Sequence, residues 1–258
     1  MAQIDYTEDQ LEEAKAYLRE RLRNEQSMSA DVLRLLELYA GYLLTALFGN
    51  YQDYDIEMLI QDLIDQLLSD CETLAVDEHD RRDMILLYMN GERHGDTLEG
   101  RINKRCHTFF DEVFAVYTAG KLLGKNYDLL LNSIVVNLTK PWQNEILVEV
   151  RDKIDKGELS SDFDFSERHY GQGNAISSLT ALDTMTRYAI ADAWQYWRWL
   201  DEKENGAKGY FRIRMSSYDC PLCDSLCGIF YPITDEEHMN LAHSNCCCAI
   251  IYSYVERL

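Results

Sequence analysis

The sequence predicts a chain that is mostly α, with a small C-terminal α+β module. Three observations predict it. Only 3 prolines and 13 glycines interrupt 258 residues, so obligatory helix breaks are few. Apolar residues recur at three- and four-residue spacing through most of the first 157 positions and again from about Ala175 to Glu204, the period of a helix with one buried face. After Asn205-Gly206 the pattern changes to alternation, and six of the 8 cysteines then crowd into the stretch from Tyr218 to Tyr252.

The elements follow in order. Thr7-Glu-Asp-Gln10 matches a capping box opening a charged helix, in which threonine and glutamine satisfy each other's end of the first turn. Ser29 is placed to cap a second helix, DVLRLLELYAGYLLTALFG, which stops near Gly49. A third runs through DIEMLIQDLIDQLLSDCETL with Ile56, Leu59, Ile60, Leu63, Leu67 and Leu68 on its buried side. DRRDMILLYMNG gives a fourth. Asp96 or Thr97 opens a long fifth helix that stops at Gly124, where a left-handed residue suits glycine. Cys106-His107 lies within it, with no partner at a diagnostic spacing, and reads as structural. The segment YDLLLNSIVVNLTK is helical or mixed, and Pro141 sits at a first-turn position for a helix that Gly157 terminates.

Residues 158–173 are polar and glycine-bearing, which marks a loop and a domain boundary. The organisation expected is a helical region over 1–170 and a module over 171–258. The long helix after the boundary carries Trp194, Tyr196, Trp197 and Trp199. Aromatics at this spacing anchor a core or an interface more often than they stack bases. In GYFRIRMSSY, alternation places Tyr210, Arg212 and Arg214 on one strand face and Phe211, Ile213 and Met215 on the other. IFYPI and CAIIYSY read as further short strands. The DEEH run at 235–238 reads as a loop or a first helical turn.

A net charge of −20 argues against coating DNA, because phosphate rewards clustered Lys and Arg. No segment reaches the ~18 apolar residues of a membrane span. The first residues are polar and acidic rather than a secretory leader, so a reducing compartment is expected.

The cysteines carry the chemistry. Cys220 and Cys223 form a C-x-x-C pair, followed after a spacer by His243-Ser-Asn-Cys246-Cys247-Cys248. Two chelating pairs separated by a spacer close one tetrahedron around zinc, and four protein ligands make such a site structural. Cys220 and Cys223 are the first pair. The second is His243 with Cys246 or Cys248, or Cys246 with Cys248. Cys247 faces the other way if this segment is extended, while Cys227 and His238 read as supporting or core residues. The module is thus expected to be a zinc-binding one.

These residues resemble the phage Mu F-like minor head protein family, the phage head morphogenesis domain, over about 80 residues from Ala175 to Tyr254. The resemblance lies in Arg187 within TMTRYAIADAW, Arg212 and Arg214 in the strand, Asp219-Cys220-Pro-Leu-Cys223, Gly228, and the His243-to-Cys248 run before AIIYSY. Ser244 stands where the family pattern has proline, and Cys247 where it has arginine. The resemblance implies a non-enzymatic, portal-associated structural protein of a tailed-phage or prophage head, concerned with capsid morphogenesis or DNA delivery. It would meet portal and other head proteins, touch packaged DNA at most indirectly, reside in the virion, and occupy host cytoplasm during assembly. Residues 1–170 would be the portal- or head-contacting part. Two other readings use the same cysteines: a cellular zinc-binding adaptor, and a treble-clef-type nuclease recruiting His238 or His243 with Asp235, Glu236 or Glu237.

Overall fold

Thr7 and Gln10 do cap one another. The Thr7 backbone N–H donates to Gln10 Oε1 at 2.9 Å, and the Gln10 N–H donates to Thr7 Oγ1 at 3.2 Å. In the computed structural model, which describes residues 6–49, 53–77, 79–93, 95–165, 176–217, 219–243 and 246–255, the helix they open does not stop at Ser29. It runs unbroken from Glu8 to Phe48 (α1). The Ser29 hydroxyl bonds back to the Glu25 carbonyl at 3.2 Å, so it satisfies itself within the helix instead of capping a new one. The expected second helix is therefore the second half of the first.

The remaining helices are α2 (Asp53–Val76), α3 (Arg82–Met89), α4 (Leu98–Leu122), α5 (Tyr127–Val136), α6 (Glu145–Asp155), α7 (Ser178–Glu204) and the short α8 (Pro221–Leu226). On α2, Ile60, Leu63 and Leu67 are buried as the spacing requires, whereas Ile56, Leu59 and Leu68 are half-buried. Thr97 is the residue that caps α4, accepting the Gly100 N–H at 3.1 Å. Pro141 opens a 3-10 turn, Pro141–Gln143, and not the following helix itself. Asn144 caps α6, its side-chain oxygen accepting the Ile146 N–H at 3.0 Å. Residues 158–165 carry no helix or strand, and the rest of the expected loop, 166–173, lies outside the described residues. No described helix is long and apolar enough to cross a membrane.

The three expected strands form as β1 (Gly209–Arg214), β2 (Phe230–Pro232) and β3 (Cys248–Ser253). They make one antiparallel sheet in the order β2-β1-β3. Tyr210 lies opposite Tyr231 and Tyr252, and Arg214 lies opposite Cys248. The β1–β2 contact needs glycine at 209, because a Cβ there would come 2.4 Å from the Tyr231 carbonyl oxygen.

The chain divides into two compact units. One comprises 30–69 and 94–183 and is helical. Leu43, Leu63, Ile64, Phe109, Val113 and Val150 are among its most deeply buried side chains. The other comprises 1–29, 70–93 and 184–258 and contains the sheet. On one sheet face, Tyr210, Tyr231, Ile250 and Tyr252 pack with Trp199 and Leu200 of α7. On the opposite face, Ala249 and Ile251 pack with Ala14 and Leu18 of α1. The sheet is thus covered on both sides. Gln10 adds a side-chain bond to the Tyr252 carbonyl at 3.1 Å.

Candidate metal centre

The cysteines meet where α8 faces the start of β3. Pro221 occupies the first turn of α8, where a missing N–H costs nothing, and the Cys220 sulfur accepts the Cys223 N–H at 3.5 Å. Cys223 lies within α8, and Cys220 and Cys227 flank it with extended backbone. Gly228, at φ +81°, reverses the chain, and its N–H donates to the Arg212 carbonyl of β1 at 3.0 Å. Arg214 on the same strand forms an ion pair with Asp224 of α8. The strand thereby fixes the turn that presents the sulfurs.

Two overlapping groups of ligand atoms result. Cys220, Cys223 and His243 form one, and Cys223, Cys246 and Cys248 form the other, with all atoms of each group within 4.8 Å of one another. His243 Nε2 lies 3.2 Å from Cys220 Sγ and 3.1 Å from Cys223 Sγ. Cys223 Sγ lies 3.8 Å from Cys246 Sγ. A tetrahedron with metal–sulfur bonds of about 2.3 Å has sulfur–sulfur edges of about 3.8 Å, so this spacing suits a shared ion. Cys223, Cys246 and Cys248 are buried, while Cys220 and His243 are half-buried. This cluster can hold a metal ion.

All five residues singled out in the sequence converge here. Cys247 is outside both groups, as alternation along an extended segment requires, and its carbonyl accepts the Met215 N–H at 3.2 Å. His238 is also outside both. Its Nδ1 sits 2.9 Å from Asp235 Oδ2, and its ring stacks on Tyr231 at 4.7 Å between centroids. Residues 235–238 form no helix. Cys227 is nearer the centre than its reading as core suggested, with its Sγ 3.8 Å from Cys248 Sγ. Ser244, one of the two departures from the family pattern, lies outside the described residues, as does Tyr218.

The thiols are electrostatically unequal. Hydrogen bonding from the Cys248 thiol, with help from the Arg212 charge, holds Cys246 well below the ordinary thiol range. The same shared bond, and then burial, pushes Cys248 up. Burial first, and then the Cys220 sulfur, raises Cys223 to about 12. The backbone N–H of Cys223 lowers Cys220. Closely packed thiols cannot all ionise without a cation among them.

Charged residues that carry no sequence signal of their own frame the cluster. Arg21 of α1 is buried, donates to the Cys246 carbonyl, and pairs with Glu25 at 3.2 Å. Glu25 also lies 3.8 Å from Arg187 of α7, so the arginine of the family-like motif joins this buried network. Arg212, 1% exposed, donates to the His238 carbonyl at 2.6 Å and to the Asn240 carbonyl. Asp192, buried on α7, accepts the Leu241 N–H at 3.1 Å and the Tyr88 hydroxyl at 3.0 Å. Burial raises its pKa, opposed mainly by the Leu241 N–H. Together these groups anchor the segment that delivers His243. Only i, i+4 spacing within α1 hinted at the Arg21–Glu25 pair, and nothing local marked Asp192. No family model, curated protein or solved structure matches this chain.

Proposed function

We propose that the cluster is a structural zinc centre and that the chain is a minor head protein of a tailed bacteriophage or prophage, acting at the portal vertex in head assembly or DNA delivery. Cys220, Cys223, His243 and Cys246 hold the ion. Thiolate and imidazole donors favour zinc over the hard, oxygen-seeking cations. Four protein donors leave no open position for substrate, and the centre serves folding instead of catalysis.

The observation that carries the reading is the convergence of the family-like residues on one place. Cys220, Cys223, His243, Cys246 and Cys248 make the cluster, and Arg214 pins the helix that bears the first pair. Arg212 anchors the segment before His243, and Arg187 enters the ion-pair network that reaches the Cys246 carbonyl through Arg21. Partners on this reading are the portal and other head proteins, contacted through residues 1–170. A net charge of −20 fits contact with proteins better than direct contact with DNA. The site of action is the virion, reached through host cytoplasm.

Quantitative mass spectrometry of gradient-purified particles from the source strain tests this. The chain is expected beside portal and major capsid protein, at a small fraction of the capsid protein's abundance. Its confinement to soluble lysate, together with failure to co-purify with portal protein, would overturn the role.

A further inference from the structure

The four-ligand zinc site leaves two cysteines of the same cluster unused, and their placement is informative. Cys227 and Cys248 approach each other to 3.8 Å, the tetrahedral edge expected for two sulfurs on one zinc. Cys248 also belongs to the group formed with Cys223 and Cys246, whose sulfurs all lie within 4.8 Å. Cys223 is common to both groups. α8 and the two residues that flank it supply three sulfurs, and the extended segment entering β3 supplies two on one side.

We propose that the cluster binds two zinc ions, with the thiolates of Cys223 and Cys246 bridging them. Cys220 and His243 complete the shell of the first ion, and Cys227 and Cys248 complete that of the second. This deepens the reading of the cluster as a zinc centre and rests on it.

Charge is compatible with the assignment, which the sulfur spacing carries. Five thiolates against two divalent ions, with a neutral imidazole, leave one net negative charge. Arg212 is buried beside the cluster, and its charge acts on both Cys246 and Cys227. Its Nε has no hydrogen-bond partner among the described residues, so part of the guanidinium is free to balance the cluster through space.

The test is metal stoichiometry on the full-length protein. The chain is stripped with a chelator under reducing conditions, reloaded with zinc, desalted, and measured by elemental analysis against quantitative amino-acid analysis. About two zinc ions per chain are expected, falling to one in Cys227→Ser. X-ray absorption at the zinc edge should show a zinc–zinc vector of about 3 Å, as shared bonds of about 2.3 Å require. One zinc per wild-type chain with no metal–metal vector would overturn the second ion and leave the first intact. No retained zinc would overturn both. The wild-type stoichiometry and absorption spectrum decide the matter even if the variant fails to fold.

Discussion

The two compact units solve the same problem by different means. The helical unit, 30–69 and 94–183, buries leucine, isoleucine, valine and phenylalanine side chains along helix faces, in the way an amphipathic pattern prescribes. Among its described residues the buried carboxylate is Glu112, which accepts the Ser178 N–H at 3.2 Å and hydroxyl at 3.0 Å. The sheet-bearing unit has three short strands, and its interior holds Arg21, Glu25, Asp192, Arg212 and the thiols. Such groups are expensive to bury unless paired or bound to a cation. The first unit is stabilised by apolar area. The second depends on every polar group finding its partner, and a metal ion held by the cysteine cluster would be the partner of the largest number.

The largest expected effect sharpens this contrast. Cys223→Ser removes the sulfur common to both ligand groups. Zinc binding is worth on the order of 10 kcal/mol in zinc-finger peptides, comparable with a domain's whole stability of about 5–15 kcal/mol. Near-ultraviolet circular dichroism and Trp fluorescence should show loss of fixed packing in the sheet-bearing unit, while far-ultraviolet helicity largely persists. An unchanged melting profile with full metal content would refute the site. Metal binding needs deprotonated thiols, so mild acid should release zinc and reproduce the same partial loss.

Two further substitutions of similar cost should part company on metal content. Arg21→Met removes an ion-pair partner of Glu25 and the donor to the Cys246 carbonyl, a loss of about 3–5 kcal/mol for a broken buried pair. It should weaken zinc retention in chelator competition. Phe109→Ala opens a cavity in the helical unit, where Phe109 is 1% exposed, and costs about 3–5 kcal/mol. Zinc affinity should be unchanged. Equal zinc affinities in the two variants would erase the distinction between the units.

Glu112 gives a smaller effect with a defined sign. Burial raises its pKa from 4.5 to about 7, opposed by the Ser178 bonds. Between those values the native state holds a proton that the unfolded chain has lost, so stability falls as pH rises through that window. Glu112→Gln should flatten the dependence in urea titrations between pH 4.5 and 7. A slope equal to wild type would assign the titration to another group. The smallest effect is at Ser29, where alanine should change stability by less than about 0.5 kcal/mol. Thr7→Ala, which removes a true cap, should cost about 1 kcal/mol.

Ser29 also shows where the sequence was legible and where it was not. Periodicity located the helices, and alternation located β1, because both reflect the geometry of a single segment. Whether a serine caps or back-bonds depends on whether the chain beyond it continues along the same axis, and no local signal records that. The candidate cluster was readable for the same reason as the strands: C-x-x-C and H-x-x-C-x-C are short-range patterns. Cys227 was set aside because its partner, Cys248, lies 21 residues away and meets it only once β3 pairs with β1. Likewise, the packing of Ala14 and Leu18 against β3 joins segments more than 200 residues apart in sequence. The thin apolar stripe of the first helix reads as a surface or partner-contacting element, and nothing local shows that Ala14 and Leu18 pack on β3.

The central claim is that the metal organises the sheet-bearing unit and not the helical one. Amide hydrogen exchange by mass spectrometry, on zinc-loaded and chelator-stripped full-length protein, tests it most directly. The account predicts loss of protection on stripping in β1, β2, β3, α8 and residues 8–29, with α4, α5 and α6 unchanged. Protection in the strands that survives complete zinc removal would contradict it.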